Sequence, residues 1–479
     1  KKRISHTMLK SNIFIGSTEI IANNYQASYS PIDGSKIGEF AICSTDTAKE
    51  ALAVAKNAFA LSKDTPLHQR VLWITDVAKK LHENKEELAR IITLEVGKPI
   101  KFSRIEVDRC IETLKITASL VLEVGGKTIA TDAMSSGRVS NAFYKRVPSG
   151  VIVAITPFNF PLNLVAHKLA PALVTGNCVV LKPTPEAPCT SYMLAKLFIE
   201  SEFAVRNALS LVYGDADVGS ALVSSDIPRV ISFTGSATVG RIITQTAGIK
   251  KISLELGGNA ATFVDKTADI SSAAKKCAVG AFVNSGQVCI SLQRIYVHDD
   301  IYGAFCDALK AEVATLKLGN PMDEEVFMGP LINEDSAVRA KKWVESAKEE
   351  GASVLIGGNH NGRYFEPTVL VNVTDDMRIV CEEVFAPIVS IIRVKDFDEA
   401  AKKINNSNYG LQHSVFTDSH AIAMRAIDEL DAGGIVINDI PTLRFDIQPY
   451  GGIRMSGIGK EGPLFAMEEF TEIKSVLMF

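Results

Sequence analysis

The stretch VIVAITPFNFPLNLVAHKLAPALVTGNCVVLKP, residues 151–183, decides the fold. Five apolar residues (151–155) run into a turn rich in proline, phenylalanine and asparagine. A helical segment then begins near Leu164, and a second apolar run, CVVL (178–181), follows. Runs this short and this apolar read as strands buried on both faces, and a strand–helix–strand unit of this length joins parallel neighbours. The rhythm continues through LSLVY (209–213) and RVISF (229–233), with helical stretches starting near Pro188 and Asp215. A second alternating region holds a helix through 268–283 and the strand-like SVLIG (353–357) and GIVIN (434–438). Such alternation predicts two α/β domains, each a parallel sheet with helices on both faces.

Upstream, SPIDGSKIGEF (30–40) reads as a hairpin around Asp33-Gly34. A helix follows in TDTAKEALAVAKNAFALS, with Thr45 or Thr47 as its N-cap. Residues 66–95 and 100–122 repeat the helical period on either side of the Gly97-Lys98-Pro99 break. The turn-rich segment 125–147 reads as a ribbon reaching away from the core.

The chain has 479 residues, of which 47% are apolar and 22% charged, a composition of ordinary globular domains. Its 51 basic and 55 acidic residues leave a net charge of −4, which argues against a nucleic-acid coat. No apolar run approaches the ~18 residues needed to span a bilayer, and 1–14 has no signal-peptide core. The eight cysteines are scattered singly with no C-x-x-C pair, so neither a disulfide framework nor a metal site is expected. Buried thiols in a cytoplasmic protein are the expectation, with no nucleic-acid or membrane partner.

One glycine motif is a decoy, and a second does not support an ATPase. GIGKEG (457–462) satisfies G-x-G-x-x-G but follows no apolar strand, and too little chain remains after it for a βαβ unit. GSATVG (235–240) lacks the Lys-Ser/Thr ending of a phosphate-binding P-loop.

Four segments concentrate chemistry. NSGQVCIS (284–291) puts Cys289 in a Gly-rich bend, a position suited either to a structural thiol or to a nucleophile that a substrate can reach. LELGG (254–258) ends a strand with Glu255, as a loop cap or a general base. TPFNFP (156–161) holds Asn159, as a turn residue or as an amide donor to a developing oxyanion. FTGSATVG (233–240) opens a helix with small residues, either an ordinary capped turn or a pyrophosphate seat.

Together with LKPTPEAP, EEVFAP (382–387) and PYGGIRMSGIGKEG, these segments resemble the aldehyde dehydrogenase superfamily in order and spacing over essentially the whole chain. The resemblance implies two Rossmann-like domains and a small β oligomerisation arm: 1–124 with 148–256 for NAD(P), 257–455 for catalysis, and 125–147 with 468–479 for the arm. It implies Cys289 as nucleophile, Asn159 as oxyanion donor and Glu255 as the base that hydrolyses a thioester. The CoA-acylating relatives lack that carboxylate, so a free acid is the implied product. NAD or NADP is the implied cofactor, with Lys182, Thr156 and Phe158, then Thr234, Gly235 and Ser236, and finally Glu383 and Phe385 around it. The place three residues after Lys182, a Glu in many NAD-preferring members, is Pro185, with Glu186 next; this leaves the choice between the two dinucleotides open.

The substrate is a small aldehyde by the same resemblance. Relatives acting on phosphorylated aldehydes place an Arg before the nucleophile, where this chain has Val288. GQVCIS and PLNLVAHKLAPA (161–172) are most similar to the lactaldehyde dehydrogenase branch. Asn163 and His167, four residues apart on one helix face, then point toward a hydroxyaldehyde; the alternative is that His167 packs against a neighbouring helix. Arg109 and Arg444 are either surface charges or carboxylate binders, the latter favouring succinate semialdehyde. A cofactor-independent thiol hydrolase pairing Cys289 with His167 is the reading from another class. The arm implies a homodimer or homotetramer.

Overall fold

The computed structural model describes residues 9–138 and 141–479. The opening stretch 1–8 and residues 139–140 of the ribbon segment, over which the sequence reading extends, lie outside them. An eight-stranded sheet has at its centre five parallel strands. In spatial order these are Lys251–Glu255, Pro228–Thr234, Val151–Ile155, Cys178–Lys182 and Leu209–Leu211. Antiparallel edges close it, with Ile13–Ile15 and Thr18–Ile20 on one side and Gly457–Ile458 on the other. The central strands are buried nearly throughout, which their apolar runs require.

The chain leaves Val151–Ile155 toward one edge of the sheet, then returns to lay Pro228–Thr234 on its other side. Strand order therefore reverses between Val151–Ile155 and Pro228–Thr234. A crevice opens at the carboxyl ends of strands at such a reversal, and it is where ligands bind in sheets of this kind.

A seven-stranded sheet carries the second half, six of its strands parallel and Ser353–Ile356 antiparallel at the edge. Its strand residues alternate between two apolar cores. Phe263, Tyr296 and Ile392 pack on one face; Val264, Ile295, Val297 and Ile391 pack on the other. A third sheet pairs Thr471–Met478 antiparallel with Asn141–Pro148 over eight residues, with Lys127–Thr128 beside it.

Two local expectations are corrected. The helix Thr45–Asp64 is capped by Ser44, whose hydroxyl accepts from the Thr47 amide, because Thr45 and Thr47 already lie inside it. The segment 66–95 is two helices, Leu67–Glu83 and Lys85–Val96, broken at the non-helical Asn84. The break at Gly97 is real: it is left-handed at φ +71°, and a Cβ there would meet Pro330 at 2.7 Å. Among the described residues no helix is long and apolar enough to cross a membrane.

Candidate functional site

A cavity of about 550 Å³ lies where the carboxyl ends of the eight-stranded sheet face the loop after helix Ile270–Phe282. Four adjacent strands end beside it in register: Thr234 stands opposite Glu255, Phe233 opposite Ile155, and Ile155 opposite Lys182. Cys289, Glu255, Asn159, Phe158, Thr234, Gly235, Ser236, Glu383 and Phe385 all line the cavity. Thr156 and Lys182 sit at the ends of the neighbouring strands, outside the lining, with the Thr156 amide donating to the Lys182 carbonyl at 3.3 Å.

Cys289 is half-buried, whereas six of the other seven cysteines are buried and Cys381 is exposed; none is bonded to another. The loop that presents it is bent by left-handed backbone at Asn284, Ser285 and Gly286. At Gly286 a Cβ would strike the Ala386 carbonyl at 2.2 Å, so the bend packs directly on the backbone just after Phe385. Burial pushes the Cys289 thiol up to about 12, against the pull of the Tyr450 hydroxyl and Arg444. Tyr450 Oη is 2.8 Å from Sγ.

Asn159 Nδ2 donates to the Gln287 carbonyl at 3.0 Å, which holds the amide beside the cysteine loop; its Oδ1 is buried without a partner. Glu255 is buried with both carboxylate oxygens unpartnered. Burial and then the Glu461 carboxylate hold it well above the usual carboxylate range. Burial works against Glu461 too, but Arg444 and Lys168 keep that group below the range, so of the pair Glu255 is the one that carries a proton.

Buried polar atoms left unpartnered mark places for a ligand. Besides Glu255, the Thr156 and Thr234 hydroxyls flank the strand-order reversal with no partner. Nearby, the side chain of Ser236 caps helix Ala237–Thr246, whose first turn opens on the crevice. Glu383 Oε1 accepts from the Gly258 amide at 3.0 Å, and its other oxygen would be struck by any Cβ on Gly257. Burial raises Glu383 to about 7. Phe385, at φ +49°, meets Phe158 edge-on with centroids 6.0 Å apart. Lys182 is buried and lowered by desolvation, with Asp215, Glu186 and Asp217 opposing the shift. Glu186 is turned onto the Thr184 hydroxyl. These orphaned groups, the glycines that clear space and the helix N-terminus fit a dinucleotide.

At the other end of the cavity the sequence reading needs correction. Asn163 lines the wall, but Thr113 donates to its oxygen and its nitrogen donates to Asp446. His167 is fully buried and not part of the lining; its Nε2 sits 2.9 Å from Asp446 Oδ1. It faces neither a substrate nor Cys289, so the thiol hydrolase loses its partner. Arg109 and Arg444 are not surface charges. Arg109 forks onto Asp446 through Nε and Nη2 at 2.9 and 2.8 Å, and Arg444, buried, pairs with Glu461 at 2.8 Å.

Several groups at the site escape sequence reading. Asp446 draws Arg109, Asn163 and His167 together from segments about 280 to 340 residues away along the chain. Lys98 and Glu106 form a buried ion pair, with Glu106 Oε1 also accepting from the Leu162 and Asn163 amides. Tyr450 lies in the PYGG motif and Lys98 in the Gly97-Lys98-Pro99 break, but nothing local to either segment shows its partner.

The sequence profile described as the Aldehyde dehydrogenase family matches residues 20–476. A 3-sulfolactaldehyde dehydrogenase of Priestia aryabhattai is 42% identical over 92% of each chain. A lactaldehyde dehydrogenase of Methanococcus aeolicus is 40% identical over 94% of this chain and 96% of its own. Among solved structures, a glyceraldehyde-3-phosphate dehydrogenase of Methanocaldococcus jannaschii complexed with NADP superposes with a TM-score of 0.91. It is 37% identical and covers 95% of this chain and 99% of its own.

Proposed function

Since the chain belongs to the aldehyde dehydrogenase family and is an oxidoreductase of small aldehydes that uses NAD or NADP, we propose that it oxidises lactaldehyde or a similar uncharged hydroxyaldehyde to the free acid. The observation that carries the substrate class is charge. Arg109 and Arg444 each already hold a protein carboxylate, and Arg339, the other arginine lining the cavity, lies by Glu383 at the dinucleotide end, so no lining arginine at the Asp446 end stands without a carboxylate partner. Lys98 is likewise paired with Glu106. The lactaldehyde dehydrogenase relative supports the same reading.

The site residues take the following roles. Cys289 Sγ attacks the aldehyde carbon, forming the C–S bond of a thiohemiacetal. The oxygen that becomes anionic lies with the Asn159 amide, whose second N–H is not spent on the Gln287 carbonyl. Glu383 and Phe385, Lys182 with Thr156 and Phe158, and Thr234 with Gly235 and Ser236 hold the dinucleotide in the crevice of the eight-stranded sheet. A bound dinucleotide would supply the hydride acceptor that turning the thiohemiacetal into a thioester requires. Glu255 then takes a proton from water as that water attacks the thioester carbon, and Cys289 leaves as the thiolate. A carboxyl raised by burial suits this step, since its carboxylate is a stronger base than an ordinary exposed one. The segments 125–147 and 468–479 form an arm between subunits of a homodimer or homotetramer.

One observation favours a second reading. The Arg109 fork uses Nε and Nη2, so Nη1 remains for an anionic substituent such as a sulfonate, which the Priestia relative's name carries. The deciding experiment is initial NAD(P)H formation with lactaldehyde, 3-sulfolactaldehyde and succinate semialdehyde, each with NAD and with NADP. Preference for lactaldehyde is expected; preference for either anion overturns the uncharged-substrate reading.

A further inference from the structure

Tyr450 is fixed on three sides. Its backbone bridges Glu461 in both directions, with N–H···O distances of 2.9 and 2.6 Å. Its ring is buried against Val288, Ile290 and Leu411. The Arg444 guanidinium stacks 3.8 Å from the ring centroid and is itself anchored by Glu461. The hydroxyl that this frame presents to the cavity stands 2.8 Å from Cys289 Sγ.

We infer that the Tyr450 hydroxyl is a catalytic hydrogen-bond donor to the nucleophilic sulfur, favouring its thiolate, and that Arg444 is the positioning residue that holds and polarises it. A thiolate accepts a hydrogen bond far better than a thiol, so a donor fixed on Sγ lowers the cost of ionisation. A cation over a phenol ring withdraws electron density and makes its O–H a stronger donor, while adding its own field at the sulfur. The carboxyls facing Sγ, Glu383 and Glu255, both oppose the thiolate when ionised, as does burial. Tyr450 and Arg444 are the groups on the favourable side. The sulfur is anionic twice in the proposed cycle, once as it attacks and once as water displaces it, so one donor serves both ends.

This inference rests on Cys289 being the nucleophile, and its test reads the thiol without turnover. The rate of iodoacetamide alkylation at Cys289, located by peptide mass, is measured against pH for the full chain, Tyr450→Phe and Arg444→Lys. Tyr450→Phe is expected to raise the apparent thiol pKa by about one unit, roughly tenfold fewer thiolates at neutral pH. Its kcat is expected to fall while KM stays within about twofold. An unchanged or lowered profile in a Phe variant that melts near the parent temperature overturns the inference. If the Phe variant does not fold, Arg444→Lys decides: a profile shifted in the same direction supports the inference, and an unchanged one overturns it. A wrong nucleophile assignment shows itself separately, as aldehyde oxidation surviving Cys289→Ala.

Discussion

Asp446 Oδ1 lies 2.9 Å from His167 Nε2 and 2.8 Å from Arg109 Nη2, so a single carboxylate oxygen both removes the histidine from the cavity and neutralises the arginine beside it. Burial opposes the charge on Asp446, yet His167 and Arg109 hold it below the carboxylate range, which makes it a fixed anion. The substrate wall is therefore set by a residue with no obvious motif of its own.

Replacing that anion is expected to change specificity. Asp446→Asn keeps the shape and frees the Arg109 cation. The ratio of kcat/KM for succinate semialdehyde over that for lactaldehyde is expected to rise about ten- to hundredfold, the value of one charge-assisted hydrogen bond. Paired steady-state assays check this; an unchanged ratio means that Arg109 does not reach the substrate.

The two chemical halves separate by mutation. Cys289→Ala is expected to abolish oxidation while dinucleotide binding, followed by fluorescence titration, stays near the parent value. Asn159→Ala is expected to lower kcat by about 10²–10³-fold. Glu255→Gln is expected to give one burst of NAD(P)H per site and then stall at the thioester, seen in rapid mixing and by intact mass. In the parent protein the hydrolytic rate should rise with pH through the raised value of Glu255, because the base acts as its carboxylate.

Stability without dinucleotide should carry the signature of Glu383. Its folded value of about 7 exceeds the ordinary 4.5, so the native state binds the proton more tightly than the unfolded chain. The resulting stability is full below about 4.5 and is lost as pH rises toward 7, on the order of 2–3 kcal/mol. Chemical denaturation at pH 4.5–7.5 is expected to show a flatter decline in Glu383→Gln. Asp446 and Glu461, held low, act only below this window, where their contribution is lost on acidification.

The arm predicts association. Ile473, Leu477 and Met478 are all more than half exposed on a strand whose pairing runs only to Asn141–Pro148. An exposed apolar edge of that length is an association surface. Light scattering is expected to give a dimer or tetramer in dilute solution, and deletion of 472–479 to shift it toward monomer. A monomeric parent chain would refute the arm.

The sequence by itself determined the sheets and the chemistry-bearing positions. Apolar runs such as VIVAI and CVVL are long enough for strands and too short for helices, and side chains at strand ends and in Gly-rich bends are placed by the local backbone. Cys289, Glu255 and Asn159 could therefore be singled out locally, though their roles, and Glu383 altogether, came from the ordered set of motifs and its family resemblance; all four meet at one cavity. What surrounds them was decided only by tertiary structure. Whether His167 faces substrate or core, and whether Arg109 is free, depends on where the loop bearing Asp446 comes to rest, a contact closed between segments about 280 and 340 residues apart. The Tyr450 hydroxyl against Cys289 is of the same kind, bridging 161 residues. Local pattern encodes which way a strand's side chains alternate, but the charge on a buried group is set by whichever partners the completed fold brings within hydrogen-bond distance.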